Sequence, residues 1–156
     1  MAEDGKNVTV RQSGLVIDDA HPFLAASPDG IVTTPAGAMG LIEVKNVLKN
    51  KIIILFEAAK SSSFCLKLVN NKLYLKENHK YYFQSQGFLN ICKIPWLDFI
   101  VRATNPHHIF IQRILRDQDL WLNVLVPKLR EFILKCLLPH QEKASSQVSG
   151  NLDQLG

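Results

Sequence analysis

Two acids and one lysine carry the most chemical meaning in this chain. Asp29 sits in the turn sequence Ser27-Pro28-Asp29-Gly30. There Pro presets φ, Asp bonds neighbouring backbone and Gly permits φ > 0. Thirteen residues separate it from Glu43-Val44-Lys45, which interrupts an apolar run beginning at Leu41. If that run is a strand, Glu43 and Lys45 project from the same face as Leu41, roughly 6–7 Å apart, with Ile42 and Val44 on the other. An Asp29 that heads an antiparallel neighbour reaches Glu43. Two carboxylates with room for water make a site for Mg²⁺ or Mn²⁺. Such an ion lowers the pKa of a bound water and stabilises charge on a phosphoryl oxygen. Lys45 is placed to orient or deprotonate the attacking water, or to neutralise the transition state. The chemistry is phosphodiester hydrolysis. Taken singly, a Glu-x-Lys pair is more often a surface ion pair of little worth, and the turn is a common one. Their order and setting make them specific.

The setting is basic. The span 43–80 holds eight lysines and three acids, whereas the remainder has ten basic and eleven acidic residues. The whole chain has a net charge of +4. A lysine-rich face is usually just solvated, and it gains meaning only beside a site that works on phosphates.

The elements that must position these residues follow from pattern. Residues 14–18 and 22–26 read as short strands, 31–33 and 41–44 as strands around a loop at 34–40, and 49–60 as a helix. Residues 64–76 form a hairpin turning at Asn70-Asn71. Residues 77–92 have helical spacing at Tyr81, Gln84, Phe88 and Ile91. Strands are expected over 96–103 and 110–115 around an Asn105-Pro106 turn. A long helix is expected over 117–138, kinked or split at Pro127. This order predicts a mixed α/β domain with a small central sheet and helices packed on it. The domain is expected over 14–140, after a short polar segment at 1–13 and before a disordered tail at 141–156.

At 156 residues, with 47% apolar and 21% charged residues, a buried core is feasible. The longest apolar run, 52–56, is far short of the roughly 20 residues of a spanning helix. The polar start lacks the pattern of a secretory signal. Cys65, Cys92 and Cys136 are odd in number and widely spaced, which argues against a disulfide framework or zinc ribbon. An intracellular protein is expected, with the choice between nucleus and cytoplasm open.

Four blocks in order resemble a known family: His21-Pro22-Phe23-Leu24-Ala25-Ala26-Ser27-Pro28-Asp29-Gly30, Gly40-Leu41-Ile42-Glu43-Val44-Lys45, His79-Lys80-Tyr81-Tyr82-Phe83-Gln84-Ser85-Gln86 and Trp96-Leu97-Asp98-Phe99-Ile100-Val101. They are similar to the YqaJ-type viral recombinase domain, a lambda exonuclease-like branch of the PD-(D/E)XK nucleases. The resemblance implies a restriction-endonuclease-like mixed sheet flanked by helices, and Mg²⁺- or Mn²⁺-dependent exonucleolytic cleavage of DNA in end processing or recombination. It implies Asp29 and Glu43 as metal ligands with the Val44 carbonyl as a third, Lys45 as the catalytic lysine and Gln84 as a glutamine lining the active site. DNA contacts are expected from Tyr81, Lys49 and Lys51. DNA is the expected partner, a membrane is not, and a homo-oligomer stays open. Two departures accompany it. Asn46-Val47 stands where the family usually has Cys-Pro, which changes the strand exit but removes no ligand. Only thirteen residues precede Gly14, where the family places a helix with a metal-binding glutamate. The chain therefore reads as a shortened member, and a weak or inactive nuclease whose DNA binding outlasts catalysis is expected. The competing readings are an inactive DNA-binding or interaction module of the same fold, and a non-nuclease α/β protein that uses its lysines on another polyanion.

Overall fold

The structure is a computed structural model and describes residues 7–47 and 54–139. Lys49, Lys51 and the start of the expected 49–60 helix lie outside the described residues. The helix is seen as α1 (Leu55–Ala58).

The chain forms two compact units, Met1–Asp117 and Gln118–Gly156. The boundary at Asp117 falls inside the 14–140 span read from the sequence. The first unit contains a five-stranded sheet. Its strands are β1 (Thr9–Arg11), β4 (Gly30–Thr33), β5 (Met39–Asn46), β8 (Trp96–Thr104) and β9 (His107–Leu115), adjacent in that order. β5 and β8 are parallel and the other pairs antiparallel. A parallel pair needs a long crossover, and here it carries α1, the hairpin β6 (Leu66–Val69) and β7 (Lys72–Leu75), and α2 (Lys80–Ile91). A small ribbon of β2 (Val16–Ile17) and β3 (Ala25–Ala26) stands apart from the main sheet.

Strand alternation decides where the core lies. Leu97, Phe99, Val101 and Ala103 of β8 are buried. Leu41 of β5 is in register with Leu97, and Glu43 with Phe99. Leu55, Leu66, Leu75 and Leu89 from the crossover join the same cluster and are almost wholly buried. Fully burying each such side chain contributes roughly 1.5–3 kcal/mol. Gln112 stands on this face of β9, in register with Phe99. Its Oε1 accepts from the Leu75 backbone N–H at 2.8 Å, which ties the hairpin to the sheet.

The opposite face carries a stack. The Arg113 guanidinium lies 3.8 Å from the Trp96 ring centroid and donates two hydrogen bonds, both 2.9 Å, to Asp98. A Cβ added at Gly40 would lie only 2.1–2.2 Å from three atoms of the Trp96 ring. The ring, covered by Arg113, has little freedom to move away. Gly40→Ala is therefore expected to cost about 1–3 kcal/mol, as overpacking does. A urea midpoint equal to the parent's would show that the ring yields freely.

One strand is added to the sequence expectation. β1 lies within the segment read as short and polar; three residues long and exposed, it is defined only by pairing with β4. In the second unit the helical pattern changes winding next to Pro127, which falls in the first turn of α4. It runs as α3 (Gln118–Leu120), a wider π segment (Trp121–Leu125), α4 (Val126–Phe132) and a second π segment (Ile133–Leu137). Proline has no N–H for the helical ladder. The winding widens just before it, where the Val126 N–H reaches the Trp121 carbonyl five residues back.

Candidate active site

Asp29 directly precedes β4, and its Oδ2 accepts from the Val44 backbone N–H at 2.7 Å. This bond continues the β4–β5 pairing beyond Gly30↔Ile42 with a side chain in place of backbone. A residue's N–H and C=O leave a strand by the same edge. The Val44 carbonyl therefore faces the Asp29 side of β5.

Glu43 is planted in the apolar face of β5 and is only 4% exposed. Burial pushes its carboxyl above the usual carboxylate range. The hydrogen bond and charge of Lys45 pull the other way, and the nearby Asp29 charge adds to the rise. Glu43 Oε1 accepts a short hydrogen bond from Lys45 Nζ. Glu43 Oε2 is buried with no hydrogen-bond partner. A buried carboxylate oxygen left unpaired is costly, and a hard cation would satisfy it. The exposed Asp29 carboxylate lies close enough to influence its charge. This donor set fits Mg²⁺ or Mn²⁺, both of which take oxygen ligands and retain water. Among the described residues no three His, Cys, Asp or Glu side chains converge. The protein's share would come from Asp29, Glu43 and the Val44 carbonyl.

Lys45 opens toward a cleft of about 220 Å³, whose walls include Asn46, Phe64, Cys65, His79, Lys80 and Tyr81. Its Nζ lies 4.7 Å from the Tyr81 ring centroid. The ring in turn packs against Phe99, centroids 6.0 Å apart. The ammonium is thus held between a carboxylate and an aromatic face.

His79, the first residue of the third family-like block, sets the start of α2. Its Nδ1 accepts from the Tyr81 N–H at 3.2 Å, which requires a neutral ring. Burial, then the charges of Lys80 and Lys76, lower its pKa. A histidine with a depressed folded pKa contributes its stability above the unfolded value, near 6.5, and loses it as pH falls. His79→Asn caps at any pH. Acidification from pH 7 to 5 should therefore destabilise the parent more than the variant, by on the order of 1 kcal/mol. Parallel melting curves with pH would show the cap to be irrelevant.

The structure brings Asp29, Glu43, Val44, Lys45 and Tyr81 together. Gln84, one turn after Tyr81 on α2, is exposed, and its side chain makes no hydrogen bond among the described residues. Its neighbour Gln86 is fully buried. Gln86 Nε2 donates to the Leu115 carbonyl, and its Oε1 accepts from the Asp117 N–H, both at 2.9 Å. The buried residues of α2 are Ser85, Gln86, Leu89, Asn90 and Ile91; of the expected row, Tyr81 and Phe88 pack against the core and Ile91 is buried, while Gln84 is not. Ser85 and Asn90 are satisfied by the carbonyls of Tyr81, Gln86 and Asp117. Asp18 is a further buried carboxylate, but its Oδ1 already accepts from the N–H groups of Ala20 and His21. It serves the turn.

The profile of the YqaJ-like viral recombinase domain matches residues 3–92, more than half of the chain. The chain belongs to that family. Two solved structures, both of an alkaline exonuclease (LHK-Exo) from Laribacter hongkongensis, share its fold, one of them in complex with dAMP. The TM-scores are 0.56 and 0.57 at 22% identity. The likeness covers 97% of this chain but 66% of the exonuclease chain. No curated protein matches it. Among the described residues no helix is long and apolar enough to cross a membrane.

Proposed function

We propose that the chain is a metal-dependent deoxyribonuclease that hydrolyses phosphodiester bonds from the ends of duplex DNA, in end processing or recombination. The observation that carries this reading is the buried Glu43 carboxylate, with one oxygen unpaired and the other on Lys45, beside Asp29. Asp29, Glu43 and the Val44 carbonyl would hold Mg²⁺ or Mn²⁺. When bound, such an ion would supply charge neutralisation at the scissile phosphate and an acidified water. Lys45 holds its charge at the mouth of the cleft, where a phosphoryl oxygen gains negative charge during cleavage. Because Glu43 and Tyr81 fix the ammonium in advance, little reorganisation is needed when that charge develops. Tyr81 presents the ring edge of the cleft to the strand, and Lys80, 5.5 Å above that ring, adds a second cation. Gln84 is proposed to line the active site, and Lys49 and Lys51 to contact the nucleic acid.

The dAMP bound by the alkaline exonuclease supports release of mononucleotides. Membership of a recombinase family supports DNA ends as substrate. The test is nucleotide release in Mg²⁺ from linear duplex against a closed circle of the same sequence. Release from the linear form alone supports end-dependent hydrolysis, and equal cutting of the circle contradicts it.

A further inference from the structure

Six of the eight lysines between Glu43 and Lys80 lie among the described residues. Lys45 is engaged by Glu43. Lys60 is held by both carboxylate oxygens of Glu57, at 2.9 and 2.7 Å. Lys76 donates to the carbonyls of Ser61 and Ser62, at 3.0 and 2.9 Å. Lys80 lies over Tyr81. Lys67 and Lys72 have no hydrogen-bond or ion-pair partner among the described residues.

Both lie on the β6–β7 hairpin. The register pairs Lys67 with Tyr74 and Val69 with Lys72, so these four share one face. Leu66, Leu68, Leu73 and Leu75 share the other, which packs into the core. Tyr74 is 39% exposed despite its size. The two-residue turn is well determined, because Asn70 and Asn71 both take the left-handed conformation that twists a tight hairpin correctly. The Leu75–Gln112 bond anchors the hairpin to β9. The hairpin contains no acid; Glu77 comes only in the turn after β7. Its base is a wall of the cleft beside Lys45: Cys65 lines that cleft and its carbonyl accepts from the Lys76 N–H at 2.9 Å. By strand rise, Lys67 stands roughly 7 Å along the hairpin from Cys65.

We infer that the outward face of this hairpin is a second duplex-binding surface, on which Lys67 and Lys72 neutralise DNA phosphates and the Tyr74 hydroxyl donates to one. The inference rests on the DNA reading above and adds where the duplex runs as it leaves the cleft. Unpaired cations on a rigid, acid-free face meet a polyanion without first breaking an internal contact. Tyrosine is among the side chains that bond phosphate oxygens. Such contacts carry affinity and register without reading sequence.

The experiment is duplex binding by fluorescence anisotropy without divalent metal, over about 50–200 mM salt. Each neutralised phosphate contributes about 0.9 to the slope of log affinity against log salt. The double variant Lys67→Gln/Lys72→Gln is expected to flatten that slope by about 1.8, whatever the DNA sequence. Lys67→Arg/Lys72→Arg is expected to keep it. A glutamine pair with the parent's slope, or an arginine pair that loses slope equally, overturns the surface while leaving the nuclease reading intact. A parent with no salt-dependent duplex binding overturns both.

Discussion

Lys45→Ala is expected to slow cleavage of linear duplex DNA by about 10²–10³-fold, the usual cost of removing one preorganised donor at a developing negative charge. The Lys45 ammonium is set by two contacts from different elements, Glu43 on its own strand and Tyr81 on α2. Alanine removes the charge and also leaves the buried Glu43 carboxylate without its ion-pair partner, so the fold of the variant is checked by melting beside the assay. Mn²⁺ binding should persist, because Asp29, Glu43 and the Val44 carbonyl all remain. Single-turnover cleavage and Mn²⁺ titration on the same preparation separate the two effects. A variant that cuts at the parent's rate would reduce Lys45 to an ion-pair partner on a strand face.

Glu43→Gln is expected to weaken Mn²⁺ binding by at least about 100-fold. Loss of a residue that merely supports a ligand typically costs 10–100-fold in affinity, so loss of the anionic ligand should cost more. Glutamine keeps the volume, so packing against the Phe99 register position is retained. It replaces a carboxylate whose burial is unfavourable with a neutral amide. The fold should therefore survive while metal affinity is lost. Calorimetric titration with Mn²⁺ reads this directly. Parent-like affinity in the variant would place the cation elsewhere.

Glu43 and Lys45 were legible in the sequence because strand alternation is local: once 41–45 is extended, both side chains must share the face of Leu41. Asp29 was legible as the residue that heads a strand, but not by the turn chemistry read into it: its Oδ2 bonds the distant Val44 N–H, and Gly30 is not among the positive-φ residues. The hairpin at Asn70-Asn71 was legible because both residues tolerate the left-handed conformation a tight turn needs. β1 was not, since Thr9-Val10-Arg11 is exposed and acquires its conformation only by pairing with β4. On α2 the expected row holds at Tyr81, Phe88 and Ile91 and fails at Gln84, because an apolar pattern cannot reveal which polar side chain turns inward to bond a distant carbonyl, as Gln86 does at Leu115. The special standing of Lys67 and Lys72 was equally hidden. Eight lysines in a row of sequence look alike until their partners are known.

The most direct test of a two-carboxylate metal centre is cleavage of linear duplex DNA titrated with Mn²⁺, in the parent and in Glu43→Gln. The parent should be inert in chelator and gain activity with Mn²⁺, while the variant stays flat across the same titration. Cleavage by the parent in chelator, or equal Mn²⁺-driven cleavage by the variant, would contradict the site built on Asp29 and Glu43.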